Sequence, residues 1–387
     1  MSSIFTLFTS FLHALVTVLM SLGTPQPHAP LRQIPTSPPP LVQTISTTTT
    51  ARSTVSLSNK PATTPIMPKA AVLPAKVHIS PTQTPIPNVT PPPAPQTTQA
   101  TSPTQSRTTD EFNTTLRESL VNIVCTTGPG GYFNPITGSG VIVDTRGIVL
   151  TNAHVAQFLL LKDFPTQGNV QCVVRTGSPA SARYRATPFY LPPAWIDAHS
   201  DQIKNPNATE TGEDDYAFLL ITETINGDPL PSSFTATTLT LSEPSKGDAV
   251  LVGAYPAQYL GGTTIQTNLY ASTALTTVSD VYTFASTTID VLSLANSILS
   301  QKGSSGGAVI NTTTGALAGL IVTESSGSTT ASRTLQAITL SHINRSLNTH
   351  GKGSILGLFT GDVAVKAADF MTNTAPLLTK KLTSVFK

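Results

Sequence analysis

A serine set among glycines, Gln301-Lys302-Gly303-Ser304-Ser305-Gly306-Gly307-Ala308-Val309, stands immediately ahead of an apolar run that reads as a strand. Glycines let the backbone turn tightly and bring two N–H groups toward one carbonyl. On such a turn Ser305 can act as a nucleophile if a histidine and a carboxylate reach it. A plain Gly/Ser turn has the same composition, as at Ser325-Ser326-Gly327, so the stretch carries chemistry only if a base and an orienting acid lie elsewhere. Both types occur upstream. Thr151-Asn152-Ala153-His154-Val155 places His154 at the end of a β-branched run, and Glu213-Asp214-Asp215-Tyr216-Ala217-Phe218-Leu219-Leu220 places Asp215 at the mouth of an apolar strand. An acid there is costly unless something pairs with it. Glu213 and Asp214 read as a solvated acidic turn. The other histidines (His28, His78, His199, His342 and His350 among them) read as structural or solvated. Lys302 reads as a charge on the rim.

The elements that must position these residues are short strands. Leu120–Thr126 and Gly138–Val143 read as strands, and the turn Asp144-Thr145-Arg146-Gly147 joins the second to Ile148–Thr151 as a hairpin. Similar runs follow at Val170–Arg175, Tyr184–Tyr190, Tyr216–Thr222, Thr237–Leu241, Ala249–Val252, Thr263–Ala271, Val281–Ala285, Ala308–Ile310, Ala316–Val322 and Leu335–Thr339. Glu111–Ser119 reads as a short helix. Many short strands with few helical patterns predict an all-β sandwich or barrel.

Composition divides the chain. Residues 1–109 contain no Asp or Glu, six of the 22 basic residues, and 19 of the 32 prolines. The net charge of +2 therefore joins a basic tail to a mildly acidic body, and neither has the dense Lys/Arg patch of a nucleic-acid binder. Ile4–Leu22 is uncharged and mostly apolar, long enough to cross a bilayer or to serve as a cleaved export signal. The Pro/Thr/Ser-rich stretch after it buries too little apolar surface to offset chain entropy and reads as a disordered stalk. Two cysteines, Cys125 and Cys172, lie outside any metal-ligand spacing, so no metal is expected. They are either buried thiols or one disulfide of an exported protein.

Taken together, Gly138–Val143, Ile148–Val155, Asp215–Leu219, Gly303–Gly307, Leu317–Val322 and Leu335–Ile343 resemble, in order and register, the trypsin-like serine peptidases, most closely the HtrA-type branch. The resemblance covers about Leu120–Asn348. It implies two six-stranded antiparallel barrels with a cleft between them, His154 and Asp215 on the first and Ser305 on the second. His154 would be the general base, Asp215 its orienting acid, and the Gly303 and Ser305 amides an oxyanion hole. Amide hydrolysis through an acyl-enzyme would follow, with protein or peptide substrates and no cofactor. Leu299 and Ser300 would set primary specificity, favouring a small or medium apolar side chain, and Val322 and Thr323 would pair with substrate backbone. The topology makes Cys125 and Cys172 neighbours and implies a disulfide.

Ser304 departs from the family's usual Asp or Asn before the nucleophile, which implies an enzyme active as folded. The long segment Pro188–Pro206, with Trp195, is expected to overhang the cleft. The tail beyond the last family helix is too short for a PDZ domain, and Val363–Lys387 reads as one or two amphipathic helices packed on the barrels. The expected organisation is thus a signal or membrane anchor at 1–23, a linker at 24–110, a peptidase domain at 111–350 and an extension at 351–387, outside the cytoplasm. Two alternatives of other kinds are a catalytically inactive trypsin fold that binds peptides and a wall or adhesion protein whose stalk is the working part.

Overall fold

The computed structural model describes residues 108–129, 131–205, 211–284, 287–295, 297–324 and 333–386. The N-terminal apolar run, the stalk up to residue 107, His28, His78 and the Ser325–Gly327 turn lie outside the described residues. Helix α1 (Thr109–Ser119) begins with a capping box: the Thr108 hydroxyl accepts the Glu111 amide at 3.3 Å, and the Glu111 carboxylate accepts the Thr108 amide at 2.6 Å. Its Phe112, Leu116 and Ser119 are buried.

The first barrel follows: β1 (Leu120–Thr127), β2 (Ile136–Asp144), β3 (Ile148–Thr151), a turn of helix α2 (Ala153–Ala156), β4 (Val170–Thr176), β5 (Ser181–Tyr190), helix α3 (Pro193–His199) and β6 (Ala217–Thr224). Its strands close in the order β1-β2-β3-β6-β5-β4. The closing pair, β1 with β4, sets Cys125 directly opposite Cys172, and the two form a disulfide. The second barrel comprises β7 (Ala249–Ala254), helix α4 (Gly262–Thr267), β8 (Ser272–Tyr282), β9 (Val291–Leu294), β10 (Ala308–Asn311), β11 (Leu317–Glu324) and β12 (Leu335–Thr339), closed as β10-β11-β12-β9-β8-β7. All the strand pairs are antiparallel, so two closed six-stranded barrels stand as the resemblance implied. Closure leaves no unpaired sheet edge in either.

Three strand expectations need correction. Thr237–Leu241 is extended but not a strand, because it divides its hydrogen bonds between the barrels. The Thr237 amide goes to the Ile142 carbonyl at 3.0 Å and the Thr240 amide to the Leu317 carbonyl at 2.9 Å. Thr263–Ala271 contains α4 instead of a strand, its β-branched run overridden by tertiary contacts. The carbonyls of Ile265 and Gln266 at its end accept from Arg175, each at 2.8 Å. Arg175 is itself buried on β4 and donates also to Asn122 Oδ1 and the Ala180 carbonyl, so it ties α4 to the first barrel. The strand expected over Val281–Ala285, whose last residue lies outside the described residues, is not separate: β8 ends at Tyr282, where Asp290 captures the Thr283 hydroxyl at 3.0 Å and the Phe284 amide at 2.7 Å. Strand β9 lacks the alternation that would reveal it, since all four of its residues are buried.

Asp290 anchors helix α5 (Leu340–Thr349). Its Oδ1 accepts from Arg345 at 2.6 Å and from His342 Nδ1 at 3.2 Å. Burial alone would raise the Asp290 carboxyl. The Arg345 guanidinium, the Phe284 amide and the hydroxyls of Thr288 and Thr283 outweigh it and hold the group well below the usual carboxylate range. A depressed carboxyl stabilises the fold above its unfolded value near pH 4 and loses that contribution as pH falls below it. Asp290→Asn is therefore expected to cost about 3 kcal/mol at pH 7 and to flatten the loss of stability between pH 5 and pH 3, measured by denaturant unfolding. His342 reads as structural, as expected.

Beyond α5 lie α6 (Ile355–Leu358), α7 (Val363–Asp369), a π-helical turn at Phe370–Thr374 and α8 (Ala375–Ser384). The tail forms helices that pack on the first barrel, through Val363, Ala367, Phe370, Ala375, Leu378 and Leu382, whereas Leu377 faces solvent. Phe386 closes an aromatic group with Tyr132, Phe133 and Phe164, ring centroids 4.9–5.4 Å away. Trp195 does not overhang a cleft: it is 3% exposed, stacks on His199, and belongs to the same buried cluster as Leu378 and Leu382. An indole on an open rim would forgo that apolar burial. Among the described residues no helix is long and apolar enough to cross a membrane.

Candidate active site

The hairpin of β2 and β3 delivers His154. Strand β3 is wholly buried and ends at Thr151, after which Asn152 and α2 turn the chain so that His154 is part-exposed. Asp215 arrives from the opposite direction, two residues before β6, and is fully buried. Its Oδ1 accepts the His154 backbone amide at 2.9 Å, and its Oδ2 lies 2.8 Å from His154 Nδ1. The Asn152 side-chain amide donates to the Asp215 carbonyl at 2.9 Å. The buried carboxylate is tolerable because His154 meets both of its oxygens, and the Asn152 bond holds the backbone behind it. The arrangement places a proton on Nδ1, which makes Nε2 the acceptor nitrogen of the ring.

Asp214 is not a solvated acid. It has φ of +58°, accepts the Ser346 hydroxyl on Oδ1, and lies 3.8 Å from His350 Nε2. Only Glu213 of the acidic turn is exposed.

The glycine-rich turn carries Ser305 from the second barrel. In a trans peptide the N–H points opposite to the C=O of the same unit, which sets the direction of its amides. The Lys302 carbonyl accepts the Ala257 amide at 2.9 Å, so the Gly303 N–H points away from Ala257. The Ser304 carbonyl accepts the Gly307 amide at 2.9 Å, so the Ser305 N–H points away from Gly307. The Ser304 amide is committed to the Gln301 carbonyl at 3.2 Å, while those of Gly303 and Ser305 have no partner among the described residues. Gly303 takes φ of +96°, and a Cβ on it would meet the Tyr255 carbonyl at 2.8 Å.

Ser139 holds this turn against the first barrel. Its amide donates to the Ser305 carbonyl at 2.7 Å, and its hydroxyl donates to the Gly303 carbonyl at 2.7 Å while accepting the Tyr255 amide at 2.9 Å. The Ser139 carbonyl in turn accepts the Thr151 hydroxyl at 2.7 Å. The serine turn is thus tied to a point three residues before His154. The sequence displays Ser139 between Gly138 and Gly140, a pattern like that around Ser305, yet neither it nor Thr151 and Tyr255 stands out as a site residue.

The pocket residues are placed less openly. Leu299 is fully buried in the second barrel's core with Val250, Val252 and Val278. Ser300 and Ser304 are also buried, and each hydroxyl lacks a partner among the described residues. The Ser305 Oγ lies 3.5 Å from the Val322 carbonyl. Val322 falls at a register shift in β11, so its backbone is skipped by β12, while Thr323 pairs with Gln336. Lys302 is exposed, its amide on Gln258 Oε1 at 3.2 Å. No His/Cys/Asp/Glu group that could hold a metal occurs among the described residues.

Residues 138–320 match the family described as the trypsin-like peptidase domain. No curated protein matches the chain. A solved structure described as the crystal structure of Deg5 is similar at 18% identity, covering 62% of this chain and 96% of that one, with a TM-score of 0.40.

Proposed function

We propose, for a chain whose residues 138–320 place it among the trypsin-like peptidases, that it is an exported serine endopeptidase working through His154, Asp215 and Ser305. The observation that carries the reading is the buried Asp215 carboxylate, bonded to both the amide and the ring of His154 at 2.9 and 2.8 Å. His154 Nε2 takes the proton of the Ser305 hydroxyl as Ser305 Oγ attacks the scissile carbonyl, and then returns it to the leaving amine. Asp215 fixes the tautomer and stabilises the imidazolium. The amides of Gly303 and Ser305 receive the oxyanion, a contribution of about 3 kcal/mol per donor. Water then attacks the acyl-enzyme with His154 again as base.

Leu299, closed into an apolar core, brings no charge to the base of the pocket, which supports small or medium apolar side chains in the substrate. Substrate backbone is expected along Val322 and Thr323. Within the family the reading favours the HtrA-type branch. Export through Ile4–Leu22, with the body outside the cytoplasm, is supported by that segment's composition and by the Cys125–Cys172 disulfide.

The test is covalent labelling of the full chain by a fluorophosphonate, read by mass spectrometry. One adduct on Ser305, absent from Ser305→Ala together with cleavage of casein, is the expected result. An adduct that survives the substitution, or equal casein cleavage by both proteins, refutes the assignment.

A further inference from the structure

Asp214 is the sole non-glycine residue with positive φ among the described residues. It immediately precedes the acid that holds His154. Left-handed backbone costs a residue other than Gly about 1 kcal/mol or more, and persists only when its surroundings enforce it. Here the enforcing group is on helix α5. The Ser346 hydroxyl donates to Asp214 Oδ1 and lies 2.8 Å from the Tyr216 hydroxyl, with His350 Nδ1 at 3.4 Å. A carboxylate can only accept, so the one proton of Ser346 goes to Asp214 and the Tyr216 hydroxyl donates to Ser346. Burial pushes the Tyr216 hydroxyl well up, which keeps that proton in place.

The two residues that flank Asp215 are therefore both bonded to one serine, Ser346. The turn between them is tight: the Asp215 amide donates to the Gly212 carbonyl at 3.1 Å and the Tyr216 amide to the Asp214 carbonyl at 2.8 Å. Ser346 is 8% exposed and far from Asp215 in sequence, and its bonds to Asp214 and Tyr216 join α5 to the turn that carries the acid.

We propose that Ser346 and Asp214 form a positioning latch, in which helix α5 holds the backbone of Asp215 so that its carboxylate meets His154. The latch rests on the peptidase reading above. Neither residue touches substrate. Their effect passes through the orientation of Asp215, and a displacement of about 1 Å at such a centre costs on the order of a hundredfold in rate.

The variant that isolates the latch is Asp214→Gly. Glycine accepts φ of +58° without strain, so the backbone term is relieved while the bond to Ser346 is lost. The full-length enzyme and its variants are assayed with a fluorogenic peptide that the wild type cleaves. Asp214→Gly is expected to lower kcat about ten- to a hundredfold, with KM within about twofold and no lower melting temperature. Ser346→Ala is expected to lower kcat in the same direction. Asp214→Asn, which keeps an acceptor oxygen and tolerates left-handed backbone, is expected to restore kcat to within about threefold of wild type. Wild-type kcat in Asp214→Gly, or an equal loss in Asp214→Gly and Asp214→Asn, overturns the latch alone. A wild-type chain that neither cleaves nor labels overturns the peptidase reading, and the latch with it.

Discussion

Replacing Asp215 with Asn is expected to lower kcat about ten-thousandfold while leaving the fold intact. The size follows from which oxygen does what. Asp215 Oδ1 is occupied by the His154 backbone amide at 2.9 Å, and Oδ2 faces His154 Nδ1 at 2.8 Å. An asparagine must keep its oxygen toward the backbone amide, since an NH2 group there would oppose an N–H. That choice turns the NH2 toward Nδ1, which must then accept. The histidine proton moves to Nε2, where a base for Ser305 is needed, and the neutral ring enters the wrong tautomer. No imidazolium stabilisation remains either. The change is isosteric and exchanges a buried charge for an amide, so melting should move little. The measurements are kcat on the same peptide and the rate of fluorophosphonate labelling. A variant within tenfold of wild type in both would show that Asp215 does not orient the base.

How much of this was legible beforehand depended on whether local pattern or distant contact decides each feature. His154, Asp215 and Ser305 announce themselves because each sits where a buried β-branched or apolar run meets a turn, and such junctions are visible as sequence. The barrels were legible for the same reason: β2, β3, β6 and β11 are long or strongly apolar. Strand β9 was not, because four buried residues carry no periodicity. Helix α4 reads locally as a strand because its β-branched threonines favour one, whereas the Arg175 guanidinium on the other barrel holds the carbonyls of Ile265 and Gln266 near its end. Asp214 and Asp215 show the limit most sharply. Neighbours of one type in one acidic turn, they differ only in what the fold brings to them: two donors from the His154 residue for one, the Ser346 hydroxyl for the other. The segment at 237–241 fails as a strand on similar grounds, since it spends its amides on two barrels that are distant in sequence.

Gly306→Ala is expected to abolish most activity, with kcat/KM falling at least about a hundredfold, and to cost roughly 2–4 kcal/mol of stability. Two separable effects act at this position. Gly306 has φ of +84°, which an alanine adopts at a cost of about 1 kcal/mol. A Cβ there would also stand 2.0 Å from the Ser139 carbonyl oxygen and 2.6 Å from Thr151 Oγ1. Neither is the loose end of a flexible side chain: the first is backbone of β2 and the second is bonded to that same carbonyl at 2.7 Å. The clash must therefore be relieved by separating the serine turn from β2. Doing so breaks the bond from the Ser139 amide to the Ser305 carbonyl, and with it the hold of the Ser139 hydroxyl on the Gly303 carbonyl. Those bonds hold the carbonyls of Gly303 and Ser305, the two residues whose amides are proposed to receive the oxyanion, so displacement is expected to move the nucleophile and both proposed donors together. Gly353→Ala supplies the control for the backbone effect alone, since Gly353 has φ of +73° with open space where its Cβ would lie. It should lose about 1 kcal/mol and keep full activity. Denaturant unfolding and labelling rate on both variants separate the two effects. Wild-type labelling of Gly306→Ala would mean that the turn reaches His154 without being locked to Ser139, and that the junction between the barrels is not what assembles the site.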